Sequence, residues 1–179
     1  IQKETEALTE KVGGAVVSIY VMKVKEETEE GVEANPGIPA PEKKGPKTFG
    51  SLGSGFIINK SGFVATNHHI VGLAKPGGIT VVLQSGVRIP ASIVGVDKET
   101  DLALLKLDTK ALNPKPVLSP INWGNSDLLK RGSVVFAIGN PYGLPDSLTR
   151  GIVSFLGRDV VSSYVQSIQH DAAVNKGNS

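Results

Sequence analysis

Chemistry is concentrated in a few side chains of this 179-residue chain, and the first of them is its last residue, Ser179. The run Asn175-Lys176-Gly177-Asn178 makes a tight, glycine-containing turn that delivers this serine with little side chain around it. The amides of Gly177 and Ser179 can point to one side there, and two oriented N–H donors beside a hydroxyl are what acyl transfer to serine requires. A plain loop serine fits these residues equally well, so partners elsewhere matter.

The chain has three histidines, His68, His69 and His170. A general base working near neutrality is most often histidine, because its ordinary pKa lies near 6.5. His68 and His69 follow Thr66-Asn67 at the end of an expected strand, and adjacent residues of an extended chain face opposite ways. Only one of the two can then face a given cleft. Asp101 precedes the apolar run Leu102–Leu105, and an acid at the mouth of a buried strand can accept a histidine N–H and fix its tautomer. Asp97 and Glu99 lie close enough to compete for that role. A metal site drawn from His68, His69, His170 and Asp171 lacks both the i, i+4 spacing and the cysteines of a zinc site.

Short elements must hold these groups. Residues 3–12 carry Leu8 and Val12 at i, i+4 and predict a short amphipathic helix. Ala15 to Met22 predicts a buried strand. From 23 to 48 six glutamates and four prolines among lysines predict a long mobile loop, because so little apolar surface is available to bury. Two hairpins follow, one turning at Asn59–Gly62 and one at Ser85–Gly86. Leu102–Leu107 is a further buried strand. Pro114, Pro116 and Pro120 crowd a connection, and the segment 109–118 divides 1–108 from 119–179. Beyond it, Val134–Ile138, Leu148–Phe155 and Val165–Gln169 predict three more strands, with alternation continuing to Ala172-Ala173. Many short strands with close turns mean an all-β fold, a barrel or a sandwich.

Composition excludes several classes. A net charge of +2 without a basic cluster interleaved with aromatics gives no footprint for nucleic acid. No run approaches the ~20 apolar residues of a membrane-spanning helix. Ile1 opens no signal peptide, and no cysteine is present for disulfides or thiolate metal sites.

The order His, Asp, Ser on strands is that of chymotrypsin-like barrels. Five blocks make the resemblance more specific: GSGFII at Gly53–Ile58, VATNHHIV at Val64–Val71, DLALLKL at Asp101–Leu107, AIGNPYGL at Ala137–Leu144 with TRGIVS at Thr149–Ser154, and IQHDAAVNKGNS at Ile168–Ser179. In this order they resemble the protease domain of the HtrA (Deg) family of trypsin-like serine proteases, from about Gly50 onward. The resemblance implies a trypsin-like double β-barrel whose second barrel is incomplete in this chain. It places the base at His69, the orienting acid at Asp101, the nucleophile at Ser179, and the oxyanion-binding amides at Gly177 and Ser179. It implies no metal and no cofactor.

It further implies an ATP-independent endopeptidase acting on unfolded or misfolded proteins, a homotrimer or multiple of it, and an extracytoplasmic setting, the bacterial periplasm or alternatively an organellar lumen or intermembrane space. A chaperone-like binder of extended polypeptides with a resting site is the other activity it allows. Residues 23–48 would reach toward neighbouring subunits, 157–164 would form a ligand-sensing loop, and closing strands with PDZ domains would follow Ser179. Two positions depart from the family pattern nearby: His170 stands where a small polar residue is usual, and Lys176 where Pro or Arg is common.

Overall fold

A computed structural model describes residues 2–25, 47–139, 147–159 and 166–174. Helix α1 (Gln2–Gly13) rests its Leu8 and Val12 side chains half-buried and ends at Gly13-Gly14. Six strands follow: β1 (Val16–Lys25), β2 (Lys47–Ile57), β3 (Phe63–Asn67), β4 (Ala74–Val82), β5 (Arg88–Asp97) and β6 (Leu102–Leu107). They close into an antiparallel barrel in the order β1-β2-β3-β6-β5-β4.

Alternation along each strand fills the barrel. Val17, Ile19 and Val21 of β1, Val64 of β3, Val81 of β4, Ile89 of β5 and Leu105 of β6 are at most 1% exposed. Register sets inward residues opposite one another, Ile57 against Val64, Val64 against Leu105, Val81 against Ile89. Each such β-branched or leucine side chain contributes about 1.5–3 kcal/mol when fully buried, so this lining is the main stabilising element.

Three strands make a second sheet in the order β7-β8-β9, with β7 (Val134–Gly139), β8 (Ser147–Asp159) and β9 (Gln166–His170) all antiparallel. Mostly strands, one closed barrel and a second partial sheet agree with the expected all-β, trypsin-like architecture.

Several expectations need correction. His68 and His69 do not end a strand: they open a single helical turn, α2 (His68–Val71), because β3 stops at Asn67 where its pairing with β6 ends. The polar loop is shorter than 23–48, since Lys23, Val24 and Lys25 pair with Phe49, Thr48 and Lys47. Backbone ladders carry these polar residues into the sheet despite their composition. Residues 26–46 lie outside the described residues. Strand β4 starts at Ala74, well before the turn at Ser85–Gly86, with a register break where Lys75–Gly78 intervene. Strand β9 ends at His170, so Ala172 is buried at 5% without belonging to a strand.

Candidate active site

The site grows from the ends of two adjacent strands. β3 delivers Asn67 and then α2, while β6 begins at Leu102 directly after Asp101, and Asn67 pairs with Leu102 across the ladder. Asp101 has φ of 57°, a left-handed conformation that aspartate tolerates better than most residues. That backbone turns both its carbonyl and its carboxylate toward the start of α2.

Among the described residues, five hydrogen bonds converge on Asp101. Its main-chain oxygen accepts from the His68 amide at 3.0 Å and from Asn67 Nδ2 at 3.1 Å. Its Oδ1 accepts from the His69 amide at 2.8 Å. Its Oδ2 meets His69 Nδ1 at 2.6 Å and Asn67 Nδ2 at 3.3 Å. An ionised carboxylate can only accept, so Nδ1 is the protonated ring nitrogen and Nε2 carries the lone pair of a base. Desolvation alone would raise the Asp101 pKa. The bonds from the His69 ring and amide, together with the charges of His69 and then His68, outweigh it and hold the carboxyl below its ordinary 3.8. The His69 side chain is 55% exposed, open to a reacting group.

Asp97, one of the competing acids, is engaged in its own turn. Asp97 Oδ1 accepts from the amides of Glu99 and Thr100, closing the turn that leads into Asp101. His68 packs its ring over Gly72, where an added Cβ would stand 2.8 Å from Nε2, so it turns along its own helix. The two histidines separate as expected, through a helical turn instead of strand alternation.

Glycines make the packing beneath α2 possible. A Cβ on Gly53 would lie 2.7 Å from Ile70 Cδ1 and within 2.9 Å of two more of its side-chain atoms. Ile70 therefore sinks into the barrel and carries His69 with it. Thr66 Oγ1 donates to the Ser54 carbonyl at 2.7 Å, tying β3 to β2 beside the same place. A hollow of about 250 Å³ opens next to it, lined by Ser54, Gly55, Thr66, Asn67 and Leu102, with Ile138 from β7.

In the second sheet, the segment after β9 lies flat on β8. Ile152 donates to Asp171 Oδ1 at 2.7 Å, and Thr149 Oγ1 donates to the Ala173 carbonyl at 2.8 Å. A Cβ on Gly151 would stand 2.2 Å from the Ala172 nitrogen, so only glycine admits this crossing. His170 is exposed on β9, opposite Val153. Lys176, Gly177 and Ser179 lie outside the described residues.

Two contributors escaped the sequence reading. Asn67 precedes a helical turn but does not cap it; its amide reaches Asp101 instead. An asparagine between a strand and a histidine pair was the available signal. Lys23 Nζ donates to the His69 carbonyl at 3.2 Å, and a lysine at the edge of a polar stretch gave no hint of it.

Comparison with known proteins bears on the family and the fold. The profile of the trypsin-like peptidase domain family matches residues 53–179. The chain is 47% identical over 137 residues to a probable periplasmic serine protease do/HhoA-like of Haemophilus influenzae, covering 74% of this chain and 28% of that protein. It is 38% identical over 195 residues to a probable periplasmic serine endoprotease DegP-like of Ectopseudomonas mendocina, covering 97% of this chain and 39% of that protein. The chain thus spans well under half the length of these curated relatives. The solved structure of the HtrA-type protease AlgW with a decapeptide superposes with a TM-score of 0.71 at 34% identity, over 96% of this chain and 52% of that one. The same protease with a tripeptide gives 0.72 at 34% identity, over 95% and 46%. By its barrel, this profile and these relatives, the chain belongs to the trypsin-like peptidase domain family, among the HtrA/Deg serine proteases.

Proposed function

We propose that this chain is the protease domain of an ATP-independent serine endopeptidase that cleaves unfolded or misfolded proteins outside the cytoplasm, in a bacterial periplasm. The observation that carries the reading is the 2.6 Å contact between His69 Nδ1 and Asp101 Oδ2, on an aspartate whose every acceptor is occupied. Such a pair leaves Nε2 to take a proton from a nucleophile. The periplasmic names of the relatives support the setting.

In this proposal Ser179 attacks a peptide carbonyl while His69 Nε2 takes the hydroxyl proton. Asp101 holds the ring and stabilises the imidazolium. The Gly177 and Ser179 amides bind the oxyanion, each donor contributing about 10²–10³ in turnover. His69 then returns its proton to the leaving amine, and water repeats the cycle on the acyl-enzyme. Substrate is held as an added strand, through its backbone. A homotrimer completes the proposal, on the strength of the family resemblance.

Labelling with a fluorophosphonate probe, mapped by peptide mass spectrometry, tests the nucleophile. Modification confined to Ser179, together with loss of casein cleavage in Ser179→Ala, is the expected result. Cleavage retained by Ser179→Ala rejects the assignment. Absence of labelling in a folded, full-length protein that still binds unfolded chains makes it a non-catalytic binder.

A further inference from the structure

Lys23 is 8% exposed, an uncommon place for an ammonium group. It lies on β1 just past a register break, opposite Ala74 of β4 and Phe49 of β2. Burial pushes its amine pKa down from 10.5, so the site is costly for a cation and calls for a compensating contact. That contact is the main-chain oxygen of His69, 3.2 Å from Nζ.

A helical turn of four residues leaves its carbonyls short of partners. In α2 the His68 carbonyl is taken by the Gly72 amide at 2.8 Å. The next carbonyl, that of His69, is the one Lys23 reaches from a strand 46 residues earlier. The peptide groups flanking His69 are thus held from two directions: its N–H by Asp101 Oδ1, its C=O by Lys23 Nζ.

We propose that Lys23 is a positioning residue for His69, clamping the backbone of the catalytic histidine from the side opposite Asp101. The inference rests on the reading of His69 as the general base. Lysine suits the task because its stem reaches across the barrel wall and its amine keeps an N–H to donate whether or not it is charged. Loss of the donor leaves a carbonyl unmet and lets α2 rotate, which moves the ring relative to Asp101. Displacements of about 1 Å in such a pair can lower turnover by up to about 10²-fold.

The direct readout is the low-field proton resonance of His69 Nδ1–H, hydrogen-bonded to Asp101, in the folded chain. Lys23→Met, which keeps the stem and removes the donor, should broaden or shift it, and Lys23→Arg should restore it. In the full-length protease, Lys23→Met should lower kcat for a short peptide about tenfold with KM changed by less than about twofold. A folded Lys23→Met with an unmoved resonance and unchanged kcat overturns the proposal, as does a folded Lys23→Arg that behaves like the methionine variant. The unaltered protein gives an independent check: Lys23 Nζ protons should exchange slowly with solvent by ¹⁵N NMR, and rapid exchange overturns the clamp. The resonance needs no serine, so failure of the proposed peptidase activity would leave this outcome readable by itself.

Discussion

Asp101 holds His69 at two points, the main-chain amide through Oδ1 at 2.8 Å and the ring through Oδ2 at 2.6 Å. One carboxylate therefore fixes both where the residue sits and how its ring is turned. A carboxylate that met the ring alone would leave the backbone free to drift. Here rotation about the side-chain bonds of His69 is restrained at both ends.

The two histidines should be functionally unequal if His69 is the base. His69→Ala should lower peptide hydrolysis as far as Ser179→Ala, by about 10⁴-fold or more. His68→Ala should change kcat/KM by less than about threefold, since its ring faces Gly72 and has no contact with the Asp101 carboxylate among the described bonds. Steady-state kinetics on both variants check this, and the reverse ranking would assign the base to His68.

Acid sensitivity follows from the depressed pKa of Asp101. A carboxyl lower in the folded than in the unfolded chain stabilises the fold fully above the unfolded value of 3.8, and that contribution disappears as pH falls through the lower folded value. The stability difference between the natural chain and Asp101→Asn should not decline from about pH 7 to about pH 5 and should shrink only below about pH 4. Urea titrations along that range measure it. A difference that already declines near about pH 6 would mean that burial, not the His69 bonds, governs the group.

Gly53→Ala tests how the barrel seats the base. The new methyl group would meet three atoms of the Ile70 side chain at 2.7–2.9 Å. Relief requires Ile70 to leave its place and α2 to lift, at a cost of about 1–3 kcal/mol. Chemical denaturation should show that loss, and the His69 Nδ1–H resonance should move with it. An unchanged midpoint would show that Ile70 repacks without disturbing the turn.

Much of the scaffold could be read from the chain because its signals are local. Leu102–Leu107 is bounded by Asp101 and Asp108, and the strand runs between them. Hairpin turns at Asn59–Gly62 and Ser85–Gly86 carry glycines with φ of 85° and 82°. Residue types alone left His68, Asp97 and Glu99 in contention, and the family resemblance singled out His69 and Asp101. The helical turn at His68 was not legible: four residues are too few to show a period, and Ile70-Val71 continue the apolar pattern of β3. Asn67 and Lys23 were missed because their partners lie 34 and 46 residues away and meet them only once strands pair. For Lys23 the surrounding composition pointed the wrong way, since a polar stretch begins there while the ladder continues.

Closure of the six-stranded barrel has a consequence for how the acid–base pair is lost. β3 and β6 are interior neighbours in a ring, and the amides of His68 and His69 both end on Asp101 between them. No strand at a free margin can peel away and loosen this junction first. Hydrogen exchange at those two amides should report the cooperative opening of the whole barrel, not a local fluctuation. His69 and Asp101 then form a preassembled pair, present whenever the barrel is folded, and substitutions can tune it without unfolding it through contacts that reach it from outside that ladder, such as Lys23.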